Sequence, residues 1–152
     1  MNYPSIKSQL HALCLNWANE RIDSIQKEIG LAQSSANEET KSSAGDKYET
    51  SRAMLQLDIE KNTVQLAEAN KLKSVLVKIQ LDKTTDTIQL GSLVITTQGN
   101  FYISVSAGFL IVDQEKYTAI SPASPIGSLL QGHRSGDEVI FNKKVFKVIL
   151  VS

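Results

Sequence analysis

The sequence has very little cysteine and no excess of either charge. Cys14 is the only cysteine among 152 residues, so an internal disulfide is excluded and a zinc site is not supported. Lysine and arginine together number 16, and so do aspartate and glutamate. A reducing compartment therefore fits the sequence, whereas an acidic tail or a basic surface for free nucleic-acid binding does not.

Long apolar runs are also missing. Asn16, Glu20 and Arg21 stand where an apolar segment near the N-terminus would have to continue, so we expect neither a signal peptide nor a membrane span. The sequence contains no glycine-rich phosphate loop and no nucleophile elbow around a serine. These absences predict a protein without membrane partners, without a cofactor of its own and without independent enzymatic activity.

The first half of the chain has helical periodicity. Residues 5–37 and 48–80 are predicted to form two helices of nearly equal length, and Gly30 is the one glycine inside them. The apolar stripe of the first helix contains a one-residue stutter after Trp17. Its predicted members are Ile6, Leu10, Leu13, Trp17, Ala18, Ile22, Ile25, Ile29, Ala32 and Ala36. The stripe of the second helix comprises Tyr48, Leu55, Ile59, Leu66, Ala69, Leu72, Leu76 and Ile79, with Asn62 as a polar interruption.

The two helices are joined by a short polar segment, "NEETKSSAGD", which predicts an antiparallel hairpin over residues 1–80. Its acidic tip lies near residues 38–49, far from the two open ends. A two-helix rod buries too little apolar surface to serve as a globular core. The first half is therefore interpreted as a coiled-coil extension whose tip reaches another molecule.

After residue 80 the apolar residues no longer recur at helical spacing but at every second position, which is typical of strands. Residues 81–152 predict a small, mainly antiparallel α+β domain with three hairpins and a short helix near 124–131. The first hairpin is expected to turn at Gly99 and Asn100, the second at 113–116 and the last at 142–144. The fold class is therefore α+β, with a helical hairpin followed by a small sheet domain.

Asp46 and Glu49 are the candidate site at the tip. Asp followed three residues later by Glu is the signature of a capping box, in which both side chains bond to backbone N–H groups at a helix start. Carboxylates are also suitable ligands for Mg²⁺, although one exposed pair cannot form a closed site. Both roles stay open, because a carboxylate has lone pairs for a cap and for a metal ion.

Residues 119–141, "AISPASPIGSLLQGHRSGDEVIF", resemble the C-terminal signature of the Gre family of bacterial transcript-cleavage factors. Residues 91–96, "GSLVIT", resemble the opening strand of the same FKBP-like domain. Asp46 and Glu49 match the spacing of the acidic pair at the tip of the family's coiled coil. Lys47 and Tyr48 between them, and the residues at 50–53, differ from the family's tip motif.

The resemblance implies a cytoplasmic factor that binds RNA polymerase and inserts its hairpin into the secondary channel. Asp46 and Glu49 would then help to hold a second Mg²⁺, shared with the polymerase, during cleavage of backtracked RNA. Arg52 and Lys47 would be candidates for contact with the phosphates at the nascent RNA 3′ end. Two alternatives remain: a regulator that occupies the channel without promoting cleavage, and a coiled-coil adaptor for an unrelated partner.

The resemblance also implies that the C-terminal domain docks on the polymerase outside the channel. Five large apolar side chains are candidates for that surface, although alternation in a small domain places most of them in the core. They are Phe101, Tyr102, Phe109, Leu129 and Leu130.

Overall fold

The computed structural model describes the backbone of residues 1–39 and 45–152, and the side chains of residues 1–37 and 49–152. Two long helices are followed by a six-stranded sheet that carries one short helix, which confirms the predicted α+β class. The helices are α1 (Tyr3–Glu39), α2 (Gly45–Lys78) and α3 (Pro125–Leu130). The strands are β1 (Leu93–Thr96), β2 (Gly99–Ile103), β3 (Gly108–Val112), β4 (Glu115–Ile120), β5 (Glu138–Phe141) and β6 (Lys144–Val151).

The chain divides into two compact units. One consists of residues Ala18–Lys73, which are the greater part of α1 and α2. The other combines Met1–Trp17 with Ser74–Ser152, so that the start of α1 and the end of α2 belong with the sheet.

The helical unit is an antiparallel pair with a thin apolar core. Its buried cluster contains Ile22, Ile25 and Ala69, with Ile29 and Leu66 packed against it. Two shallow grooves between the helices show the direction of pairing. Residues 28–32 of α1 lie beside 58–65 of α2, and 33–37 lie beside 52–59, so the chain directions are opposite.

The buried stripe of α1 differs from the predicted one. Ile6, Leu10 and Cys14 are buried, whereas Leu13 is 38% exposed and Trp17 is only partly buried. The stripe continues in steps of four through Ala18 and Ile22, so the predicted stutter is wrong. Residues four apart lie on the same helix face, and Cys14 is on the face that meets the sheet, where its Sγ lies 3.7 Å from the Ser104 hydroxyl.

The six strands form one sheet in the order β3-β4-β2-β1-β6-β5. Four neighbouring pairs are antiparallel, and β2 pairs with β4 in parallel. Parallel neighbours need a crossover connection, and here the β3 strand and its turn lie between β2 and β4 in the chain. The sheet has an apolar core. Its buried cluster contains Ile88, Val94, Phe101, Ile103, Ile120, Leu130, Val139, Phe146 and Val148.

All three predicted hairpins are present, but the first turns at Thr97 and Gln98 instead of Gly99 and Asn100. Thr96 pairs with Gly99, and the Thr96 hydroxyl accepts the N–H of Gln98 and donates to the Gly99 carbonyl. Gly99 has φ 144°, a conformation that favours glycine, so its role is to start β2.

The other two turns are tight and have a common geometry. Asp113 and Gln114 connect β3 to β4, and Asn142 and Lys143 connect β5 to β6. All four residues have positive φ, as a two-residue type I′ turn requires. This turn matches the twist of the flanking strands, so both hairpins are locally encoded.

The short helix α3 is held by its N-cap. Ser124 Oγ accepts the N–H of Gly127 at 3.1 Å and donates to the Ser121 carbonyl at 2.6 Å, while Pro125 occupies the first turn. The serines, prolines and glycines of this segment therefore act as turn and cap formers. This agrees with the prediction of a short helix near 124–131.

Gly127→Ala is expected to destabilise the protein by about 1 to 3 kcal/mol, the usual cost of overpacking. A Cβ at position 127 would lie 2.6 Å from Ser124 Oγ and closer still to the Ser121 carbonyl oxygen, so the cap would have to move. Urea unfolding followed by circular dichroism measures the change. Gly30→Ala is the matched control, because a Cβ there meets nothing within 4 Å and alanine favours the helix. An unchanged stability for Gly127→Ala would contradict the tight packing of this cap.

Candidate functional site

The candidate site lies where α2 begins. The helix starts at Gly45, so the backbones of Asp46 and Glu49 are in its first turn or just after it. Residues three apart on a helix are neighbours on its surface, and carboxylates near a helix N-terminus are favoured by the helix dipole. The Glu49 side chain is exposed. The side chains of Asp46 and Lys47 lie outside the described residues, so the capping and metal-binding interpretations both stay predictions.

Arg52 lies one turn further along α2, exposed at the side of a shallow groove between the two helices. The groove is lined by Gln33 and Asn37 from α1 and by Gln56 and Ile59 from α2, together with Arg52 itself. Guanidinium and amide groups donate hydrogen bonds that suit phosphate oxygens. The groove thus has the chemistry for contact with an anionic backbone, next to the acidic first turn.

Glu49 by itself does not amount to a metal centre. Within residues 1–37 and 49–152, whose side chains the structure describes, no group of three histidine, cysteine, aspartate or glutamate residues could hold a metal ion. Two carboxylates at the tip are suitable hard ligands for Mg²⁺, but they would need further ligands from another molecule.

A buried polar cluster connects α1 to the sheet. His11 Nδ1 and the Tyr102 hydroxyl are hydrogen-bonded at 2.9 Å, and the two rings meet edge to face. Burial lowers the pKa of His11 and raises the pKa values of Cys14 and Tyr102, so all three are neutral near pH 7. A buried neutral thiol is unreactive, so this cluster orders the packing of α1 on β2. The sequence pattern did not identify this polar cluster, although the spacing of three residues between His11 and Cys14 places both on one face of a helix.

The five candidates for a docking surface separate into two groups. Phe101, Tyr102 and Leu130 are buried in the sheet unit, so they belong to the core. Phe109 is 69% exposed and Leu129 is partly exposed, so these two remain accessible. Phe109 lies on β3, which is an edge strand of the sheet, and the Lys116 ammonium is 3.6 Å from the centre of its ring.

A membrane-spanning helix is not found in the described part of the chain, because none of the helices there combines the required length with sufficient apolar character.

The chain resembles a solved structure of the transcription factor Gfh1, with 19% sequence identity and a TM-score of 0.38. The similarity covers 91% of this chain and 92% of that one. No protein-family model matches the sequence, and a search of curated proteins finds no significant match.

Proposed function

We propose that this chain is a Gre-like transcription elongation factor that acts in the cytoplasm on RNA polymerase. In this proposal the helical hairpin enters the secondary channel and stimulates Mg²⁺-dependent cleavage of backtracked RNA. One combination of features supports it: the motif-bearing segment 119–141 occurs together with a two-helix unit whose second helix begins at an acidic pair.

Asp46 and Glu49 would supply ligands that complete a metal site belonging to the polymerase. Mg²⁺ at such a site stabilises charge on the attacking and leaving oxygens of phosphodiester hydrolysis. Glu49, which is exposed on α2, would bind the shared ion or orient a water molecule, and Asp46 would be a direct ligand. Arg52 and Lys47 would contact RNA phosphates, because their positive charges complement the backtracked strand.

A second function is favoured by the composition of the tip. Lys47 and Tyr48 stand between the acids, and Glu38 and Glu39 add carboxylates on the α1 side. Extra negative charge can displace a metal ion from a productive position or repel RNA. The alternative is therefore a regulator that occupies the channel without promoting cleavage. A coiled-coil adaptor for another partner is a weaker candidate, since it does not explain the acids at the tip.

The experiment that tests the proposal uses a purified, deliberately backtracked complex of the cognate polymerase. RNA cleavage and factor binding are measured with and without the full-length chain across a Mg²⁺ series. We expect saturable binding and faster cleavage. Binding without faster cleavage would favour the channel-occupying regulator, and no binding would overturn the proposed partner.

A further inference from the structure

A small basic pocket lies in the unit formed by Met1–Trp17 and Ser74–Ser152. The start of α1, the end of α2 and the segment before β1 surround it, and its volume is about 170 Å³. Three of its ten described lining residues are lysines, Lys7, Lys78 and Lys83, and none of the ten is acidic. The pocket therefore brings basic side chains together although the total charge of the chain is balanced.

Lys7 is the innermost of these lysines, with only 2% of its surface exposed. Among the residues that the structure describes, its ammonium has one hydrogen-bond acceptor, the Lys83 carbonyl oxygen at 3.5 Å. An ammonium group has three donors, and burying a charge without an opposite charge is costly. Burial accordingly lowers the pKa of Lys7. An anion beside Lys7 would satisfy the remaining donors and stabilise the charged form of the ammonium.

Other donors face the same pocket. Ser92 is buried, and its Oγ accepts the N–H of Gln89 at 3.0 Å, which leaves the hydroxyl proton for a further acceptor. Lys78 and Lys83 are exposed, so their flexible side chains can bring two more charges to the opening. The pocket is smaller than the usual 300 to 1,000 Å³ of sites for drug-sized ligands, so it suits a small anion or one terminal group of a larger one.

We propose that this pocket binds a phosphate oxyanion, with Lys7 and Ser92 as the inner donors and Lys78 and Lys83 at the opening. The phosphate would be inorganic or would be the terminal group of a nucleotide, since both present the same oxygens. The site is separate from the acidic pair at the start of α2 and needs no polymerase. Its failure would therefore leave the proposed cleavage function untouched.

The test is a titration of the full-length chain, with binding measured by isothermal titration calorimetry and by the chemical shifts of the backbone amides in NMR spectra. Inorganic phosphate, pyrophosphate and adenosine triphosphate are compared with chloride at equal ionic strength. We expect saturable phosphate binding, with shifts centred on Gly91 and Ser92. Tighter binding of the triphosphate than of inorganic phosphate would identify a nucleotide terminus as the ligand, and equal or weaker binding would identify the free ion.

Lys7→Met is expected to weaken phosphate binding by roughly tenfold or more, because a charge-assisted hydrogen bond is lost while the apolar stem is kept. Lys27→Met, which removes an exposed charge elsewhere on α1, should bind as the wild type does. The double substitution Lys78→Gln/Lys83→Gln should also weaken phosphate binding, and it provides the test if the Lys7→Met variant does not fold. The proposal is overturned if phosphate shows no more saturable binding than chloride does. It is also overturned if every variant that folds binds phosphate as tightly as the wild type.

Discussion

The double substitution Asp46→Asn/Glu49→Gln is expected to abolish stimulation of RNA cleavage. Its affinity for RNA polymerase should stay within about twofold of the wild-type affinity, which is well below the tenfold change that corresponds to about 1.4 kcal/mol. Asparagine caps a helix as well as aspartate does, and glutamine can replace glutamate in a capping box. The pair of substitutions therefore keeps the helix start and removes both negative charges that would hold Mg²⁺. The measurement is the cleavage rate in a backtracked complex, with binding determined in parallel.

Glu60→Gln/Glu68→Gln is the matched control, because it removes two exposed carboxylates from the same helix away from its first turn. This control should cleave at the wild-type rate. Asp46→Ala/Glu49→Ala separates the two roles further, since alanine removes the cap as well and should cost roughly 1 kcal/mol of helix stability. If the amide variant still stimulates cleavage and only the alanine variant loses stability, the acids are a helix cap.

Leu10→Ala has the largest expected effect on stability, a loss of about 2 to 5 kcal/mol. The Leu10 side chain is fully buried, so truncation removes apolar contacts and leaves a cavity on the face of α1 that meets the sheet. Chemical denaturation of the full chain, followed by the near-ultraviolet signal of its tyrosines and by far-ultraviolet circular dichroism, measures this loss.

Leu13→Ala is the matched control on the same helix. Leu13 is 38% exposed, and surface substitutions usually change stability by little. We expect a loss of about 1 kcal/mol or less. Equal losses for the two substitutions would contradict the buried stripe through Ile6, Leu10 and Cys14, and would restore the stutter that the sequence pattern predicts.

Local patterns in the sequence were sufficient to predict the helices and the hairpins. The two long helices begin and end within a few residues of the predicted positions, because helical periodicity and polar termini are properties of neighbouring residues. The same is true of the hairpins at Asp113–Gln114 and Asn142–Lys143 and of the short helix capped by Ser124. The acidic pair at the start of α2 was also identified from its spacing.

What the sequence determined by itself was therefore the α+β class, the order of the elements and the location of the acidic residues. Only the tertiary structure decided that Cys14 is buried in place of Leu13, that β2 pairs in parallel with β4, and that Lys7 closes a basic pocket. The physical reason is that a periodic pattern reports which residues share a face. What covers that face depends on residues distant in the chain, such as Tyr102 against His11 and Lys83 against Lys7.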